Sequence, residues 1–259
     1  MSTSVQIHVY PDPQTVAEHA AELVIDTARR AGTRNPAWVA LSGGSTPRLM
    51  YQAMRTRSSD LGYLRNAARF FFSDERAVPS DSIDSNFRLA HDELFVPAAI
   101  PEEHIERMIG EAIDPDEEAR RYGELLKVSD QTRIGHSQIR SLDLAILGMG
   151  ADGHTASIFP DDISAQRSSH PVIAVTTSQK ISRRISMSLD YLSHSDKVLF
   201  LVTGAEKAPT LRRVLQPFPG EAELPAAMIR ANQTLWYLDQ AAAGELDSGD
   251  KRMVKQVRT

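Results

Sequence analysis

Four short polar clusters carry side chains suited to chemistry, and each follows directly on an apolar run. Residues 148–157, GMGADGHTAS, set Asp152, His154, Thr155 and Ser157 among three glycines. Glycine lets a backbone approach a ligand closely, and an aspartate two residues from a histidine can orient it as a general base. His154 is expected near the start of a short helix, whose dipole favours the neutral ring. Residues 42–47, SGGSTP, suit an anion: free N–H groups and partial positive charge would face a ligand where a helix begins at Pro47. Gly43, Gly44, Ser45 and Thr46 form this candidate cradle, and Ser42 adds a hydroxyl. The same pattern also serves as a plain strand-to-helix turn with Thr46 as its cap.

The other two clusters add charge. SDER at 73–76 offers Asp74 for hydroxyls and Arg76 for a phosphate or carbonyl oxygen, or reads as an ordinary polar turn. TGAEK at 203–207 puts Lys207 in the first turn of a helix, where a cation is unfavourable unless an anion binds. Arg183 and Arg184 open an alternating segment, so one faces inward and the other faces solvent. The glycines at 148, 150 and 153 match a dinucleotide-binding spacing, but the next strand, 172–176, lacks an acidic end to hold a ribose. No Walker ending follows the 42–47 glycines, and no third and fourth metal ligand stands out beside Asp152 and His154.

The elements that must position these clusters alternate along the chain. Strands are expected at 5–9, 38–41, 69–72, 142–147, 172–176, 184–187, 198–202 and 235–238, with a further one at 105–109. Helices are expected from Pro13 to Gly32, from Pro47, over 86–95, from Pro115 to about 128, to about 215 after Lys207, and over 226–231. This alternation predicts one α/β domain over 1–243, an open, mostly parallel sheet with helices on both faces. The polar tail, 244–259, reads as loosely ordered. All four clusters lie at carboxyl ends of strands, which share one edge of such a sheet and can converge there.

Composition narrows the class. The chain has 259 residues, is 41% hydrophobic and carries a formal charge of −5, so a nucleic-acid partner is not expected. It contains no cysteine, which excludes disulfides and thiolate chemistry. No leader or membrane-length apolar run is visible, so a soluble cytoplasmic protein is expected.

The motifs LSGGSTP (41–47), FFSDERAVPSDSIDSNFRLAHDELF (71–95), LDLAILGMGADGHTASIFP (142–160) and VLFLVTGAEKA (198–208) resemble the 6-phosphogluconolactonases, relatives of the glucosamine-6-phosphate deaminases. The resemblance runs from about Val5 to Ala243. It implies a Rossmann-like sheet of the sugar-phosphate isomerase type and hydrolysis of 6-phospho-D-glucono-1,5-lactone, the second step of the oxidative pentose phosphate pathway. It implies no cofactor, no metal, a small phosphorylated sugar lactone as partner, and a monomer or homodimer. By resemblance His154 is the general base, with Asp152 beside it. Gly43, Gly44, Ser45, Thr46, Arg184 and Lys207 would bind phosphate and ring, and Asp74, Arg76 and Arg88 would also contact substrate. The nearest rival is an amino-sugar-phosphate deaminase, which resembles this chain but places a glutamate at the position of Phe159 and an aromatic residue at that of Arg76. A non-catalytic sugar-phosphate sensor is the other rival, and no DNA-binding region is evident at either end to go with it.

Overall fold

The computed structural model describes residues 3–129, 137–250 and 252–254. Strand β1 (Ser4–Tyr10) leads into helix α1 (Pro13–Ala31). Asp12 caps this helix by accepting the Thr15 N–H at 2.8 Å, and Gly32 ends it at φ 73°. Then come β2 (Ala37–Leu41), α2 (Ser45–Thr56), α3 (Leu61–Ala67), β3 (Ala68–Phe72) and β4 (Asp74–Arg76). Helix α4 (Asn86–Ala90) runs into a π-helical turn at His91–Phe95. Helix α5 (Pro115–Leu125) precedes the ribbon β5 (Lys127–Ser129) and β6 (Ser137–Ile139). The second half contains β7 (Leu144–Gly148), α6 (Ile163–Gln166), β8 (Val172–Thr176), β9 (Arg183–Met187) and α7 (Leu189–Ser193). It continues with β10 (Lys197–Val202), α8 (Ala208–Leu215), α9 (Pro225–Met228), β11 (Gln233–Asp239) and β12 (Met253–Val254).

Seven strands form the main sheet in the order β12-β1-β11-β10-β7-β2-β3, and every pairing between them is parallel. Alternation along each strand divides the core. Trp38, Ala40, Phe71, Ala145, Leu147, Phe200 and Trp236 pack on one face. Val39, Leu41, Phe70, Phe72, Leu144, Ile146 and Leu199 pack on the other, against α1 and α2. A strand buried on both faces must be apolar at every position, which is why β2 and β7 read as continuous hydrophobic runs. Burying one such Phe contributes about 1.5–3 kcal/mol.

The chain order creates the binding edge. From β2 it moves outward to β3, then returns to β7 and proceeds the opposite way through β10 and β11. The direction therefore reverses between β2 and β7, the place where open α/β sheets form a crevice. Their pairing covers only Val39–Leu144 and Ala40–Ala145, leaving the carboxyl ends of both strands unpaired with each other.

Several expectations need correction. β8 and β9 lie outside the main sheet; with β4 they form a separate antiparallel sheet of three strands. Asp74–Arg76 of the SDER cluster thus form a strand rather than a turn. Residues 105–109 make no strand, only a bridge of Ile105 to Phe70. Helix α2 starts at Ser45, two residues before Pro47, and Thr46 does not cap it. Helix α5 stops at Leu125, and α3 was not foreseen. The tail is not wholly loose: Met253–Val254 pair with β1, and Arg252 donates to Leu215 O at 2.6 Å. Lys251 and residues 255–259 lie outside the described residues.

Candidate active site

A cleft of about 330 Å³ opens at the carboxyl edge, bounded by the ends of β2, β7 and β10 and by the small sheet. All four polar clusters reach it.

On one side Gly43, Gly44, Ser45 and Thr46 line the cleft. Gly44, at φ 114°, is the cap residue of α2 and supplies no side-chain cap, so the first-turn N–H groups of that helix have no side-chain cap acceptor. Gly43 must be glycine because a Cβ there would overlap Asn86 Oδ1. The Ser42 hydroxyl is buried without a partner among the described residues, and the Ser42 carbonyl is pinned by the Tyr51 hydroxyl at 2.6 Å. Thr46 bonds instead to Thr203, hydroxyl to hydroxyl at 2.7 Å, which ties this loop to the one bearing Lys207. Lys207 lines the cleft just before α8.

Opposite lies the small sheet. Asp74 is buried and accepts the Ser157 hydroxyl at 2.6 Å and the Asn86 amide at 3.3 Å. Arg76 and Arg184 face each other across the β4–β9 ladder, and both line the cleft. Like charges directly opposed are unfavourable, and an anion between them would reverse that sign. Burial pushes the Arg184 guanidinium below its usual pKa, the Asp74 charge works against this, and Arg76 adds to the lowering. Arg76 Nη1 donates to Asp84 O at 2.6 Å, while its Nε is buried without a partner among the described residues.

Between them sits the glycine-rich stretch that bears His154. His154 is not at a helix start: it lies in a turn, and α6 begins only at Ile163, so a helix dipole does not act on it. A local network holds it instead. Asp152 Oδ1 lies 2.6 Å from His154 Nδ1 and accepts the His154 backbone N–H at 3.1 Å. Burial opposes the Asp152 charge, but these two hydrogen bonds and the charge of His154 together hold its pKa below the usual value. A Cβ on Gly150 would overlap both the imidazole and the carboxylate, so glycine is required under the pair. The turn continues through a tight hairpin in which Thr155 and Ile158 exchange hydrogen bonds around Ala156 and Ser157. Ala156 sits at φ 47°, a region that ordinarily favours glycine, and it lines the cleft. The Phe159 ring packs on the imidazole with centroids 4.4 Å apart, and the Arg184 guanidinium lies 5.5 Å over the same ring.

Arg88 was expected at the substrate, but it stays outside the cleft. Helix α4 turns it outward, and it donates to Asp81 O at 2.6 Å and to Asp92. Asp152 stands behind His154 and does not line the cleft itself. Asn86, Thr203 and Glu206 line it and were not foreseen as site residues. Thr203 and Glu206 lie within the TGAEK motif, whereas nothing in the spacing around Asn86 signals its place opposite Gly43. Among the described residues no group of three or more His, Asp or Glu side chains could hold a metal ion. Nor is any described helix long and apolar enough to cross a membrane.

Comparison with known proteins places this geometry. The model of the family described as glucosamine-6-phosphate isomerases/6-phosphogluconolactonase matches residues 11–236. The 6-phosphogluconolactonase of Synechocystis sp. is 31% identical over 93% of this chain and 98% of its own length. The solved 6-phosphogluconolactonase of Trypanosoma cruzi superposes with a TM-score of 0.81 at 27% identity, over 95% of this chain and 98% of that one. A solved monomeric glucosamine-6-phosphate deaminase shares the fold, with a TM-score of 0.78 at 20% identity over 93% of this chain and all of that one. With its family match, its whole-length relatives and this shared sheet, the chain belongs to the glucosamine-6-phosphate isomerase/6-phosphogluconolactonase family.

Proposed function

We propose that the cleft hydrolyses 6-phospho-D-glucono-1,5-lactone to 6-phospho-D-gluconate, with His154 as general base. Whole-length kinship with lactonases supports the reaction class, a hydrolysis of lactone esters in carbohydrate metabolism. The observation that carries the mechanism is the 2.6 Å contact between Asp152 and the Nδ1 of His154, a residue that lines the cleft beside Arg76, Arg184 and Lys207.

Asp152 accepts the Nδ1 proton and so fixes the tautomer in which Nε2 carries a lone pair. Nε2 takes a proton from water as the water oxygen attacks the lactone carbonyl. The carbonyl oxygen becomes an oxyanion, and Arg76 and Arg184 supply positive charge on the opposite wall. Collapse of the tetrahedral intermediate breaks the ring C–O bond, and the proton on Nε2 passes to the leaving oxygen. The phosphate would rest at residues 43–46, near Lys207, where helix N–H groups and a cation converge. Asp74, held by Ser157 and Asn86, would accept sugar hydroxyls. The mechanism uses no metal or organic cofactor.

The test is a lactone-disappearance assay run beside an ammonia-release assay with glucosamine 6-phosphate. The expected result is lactonase activity well above spontaneous hydrolysis, no ammonia release, and a loss of about 10²-fold or more in His154→Ala with unchanged folding. Intact activity in that variant would remove His154 from its role. Ammonia release without lactonase activity would favour the deaminase reading, and neither activity with sugar-phosphate binding retained would favour the sensor.

A further inference from the structure

The reach of Lys207 is set by a bend at Gly204, and that bend is fixed from outside the cleft. Gly204 has φ 98°, a conformation L side chains rarely adopt, and a Cβ there would overlap the Glu206 carboxylate. Its carbonyl accepts the Lys207 N–H at 3.1 Å. Its own N–H points the other way, to both carboxylate oxygens of Asp239 at 3.1 Å each.

Asp239 ends β11 and is only 4% exposed. Its Oδ1 also accepts the Ala242 N–H at 2.7 Å. Among the described residues it forms no ion pair, and it does not line the cleft. Burying a carboxylate without a cation is costly, so the two N–H groups it orders must repay that cost in placement. One of the two belongs to the turn that precedes Lys207, and the residue before that turn, Thr203, bonds Thr46 of the glycine loop.

We infer that Asp239 is a positioning residue for the phosphate end of the cleft. It holds the Gly204 turn, and through it Lys207, against residues 42–47. The inference rests on the reading of those residues and Lys207 as phosphate ligands. Charge and placement predict opposite signs, which makes the role testable. If Asp239 mattered only through its charge, removing that charge would strengthen binding of an anion. If it matters through placement, removing the acceptor weakens it.

Asp239→Asn keeps the size but sets an amide N–H against one of the backbone N–H groups. Placement predicts that KM for the phosphorylated lactone rises about tenfold while kcat stays within about twofold. Inhibition by inorganic phosphate should weaken by the same factor, and the pH profile of kcat should not move, because Asp152 and His154 are untouched. Asp239→Ala should shift KM further in the same direction; if it does not fold, the Asn variant decides alone. A lower KM, or a loss confined to kcat with phosphate inhibition unchanged, would overturn the inference. If the wild-type protein lacks lactonase activity, the proposed reaction fails separately. Calorimetric titration of inorganic phosphate into wild type and Asp239→Asn then still decides, and equal or tighter binding by the variant would overturn the positioning role.

Discussion

At His154 the Nδ1 atom lies 2.6 Å from the Asp152 carboxylate, and the proposed mechanism gives Nε2 the task of moving the proton. Asp152→Asn should therefore cut kcat by about 10²-fold or more, since an amide can donate to Nδ1 and hold the wrong tautomer. Protonating Asp152 removes the acceptor for Nδ1, so its hold on the ring is present only above its lowered pKa. The sign for stability is the same. The lowered Asp152 pKa favours the fold above the ordinary carboxylate range, and that contribution is lost as pH falls through the lowered value. At 43% side-chain exposure the contribution is small. A pH profile of kcat for both proteins checks this, and an unaltered kcat in the variant would count against the pairing. These two residues were legible because chemistry-bearing side chains sat between closely spaced glycines. Arg88, which the resemblance alone had offered, lies outside the cleft because α4 turns it toward Asp81 and Asp92. Asn86 was illegible because its place depends on Gly43, a contact that only the folded chain makes.

Among the elements, β4 and α4 act as one piece joined by Glu75. This carboxylate is 2% exposed, and each oxygen takes two donors: Arg76 and Asn86 N–H on Oε1, Phe87 N–H and the Ser85 hydroxyl on Oε2. Burial pushes its pKa up, and the four hydrogen bonds oppose that. The network suits an ionised carboxylate, because an added proton would face a donor on either oxygen. Glu75→Gln places an amide N–H against such donors and should cost roughly 2 kcal/mol of stability. It should also raise KM, since Arg76 and Asn86 both take their places from Glu75. Thermal unfolding and steady-state kinetics on the variant check both; wild-type stability would refute the clamp. The regular elements were legible from periodicity and from the Asp-Pro starts at Pro13 and Pro115. The small sheet was not, because an antiparallel strand of three residues such as β4 has too little length to show a period.

For the molecule as a whole, the alternation of strands and helices was enough to foresee the carboxyl-edge convergence of Ser42–Thr46, Asp74–Arg76, His154 and Lys207. The sheet order was not foreseeable, because parallel pairings join segments far apart in the chain. We propose that the described residues fold as one domain around the shared sheet. Both edges of that sheet are covered by very short segments. On β3, Glu106 donates to Phe70 O at 2.8 Å; on β1, Ile7 donates to Arg252 O at 3.0 Å beside β12. An uncovered parallel edge is a template for strands of other molecules. Covering the β1 edge is therefore the task expected of β12. A chain ending at Gly249 should keep its kcat yet aggregate faster on warming, as light scattering would record; equal scattering by both chains would deny β12 that duty.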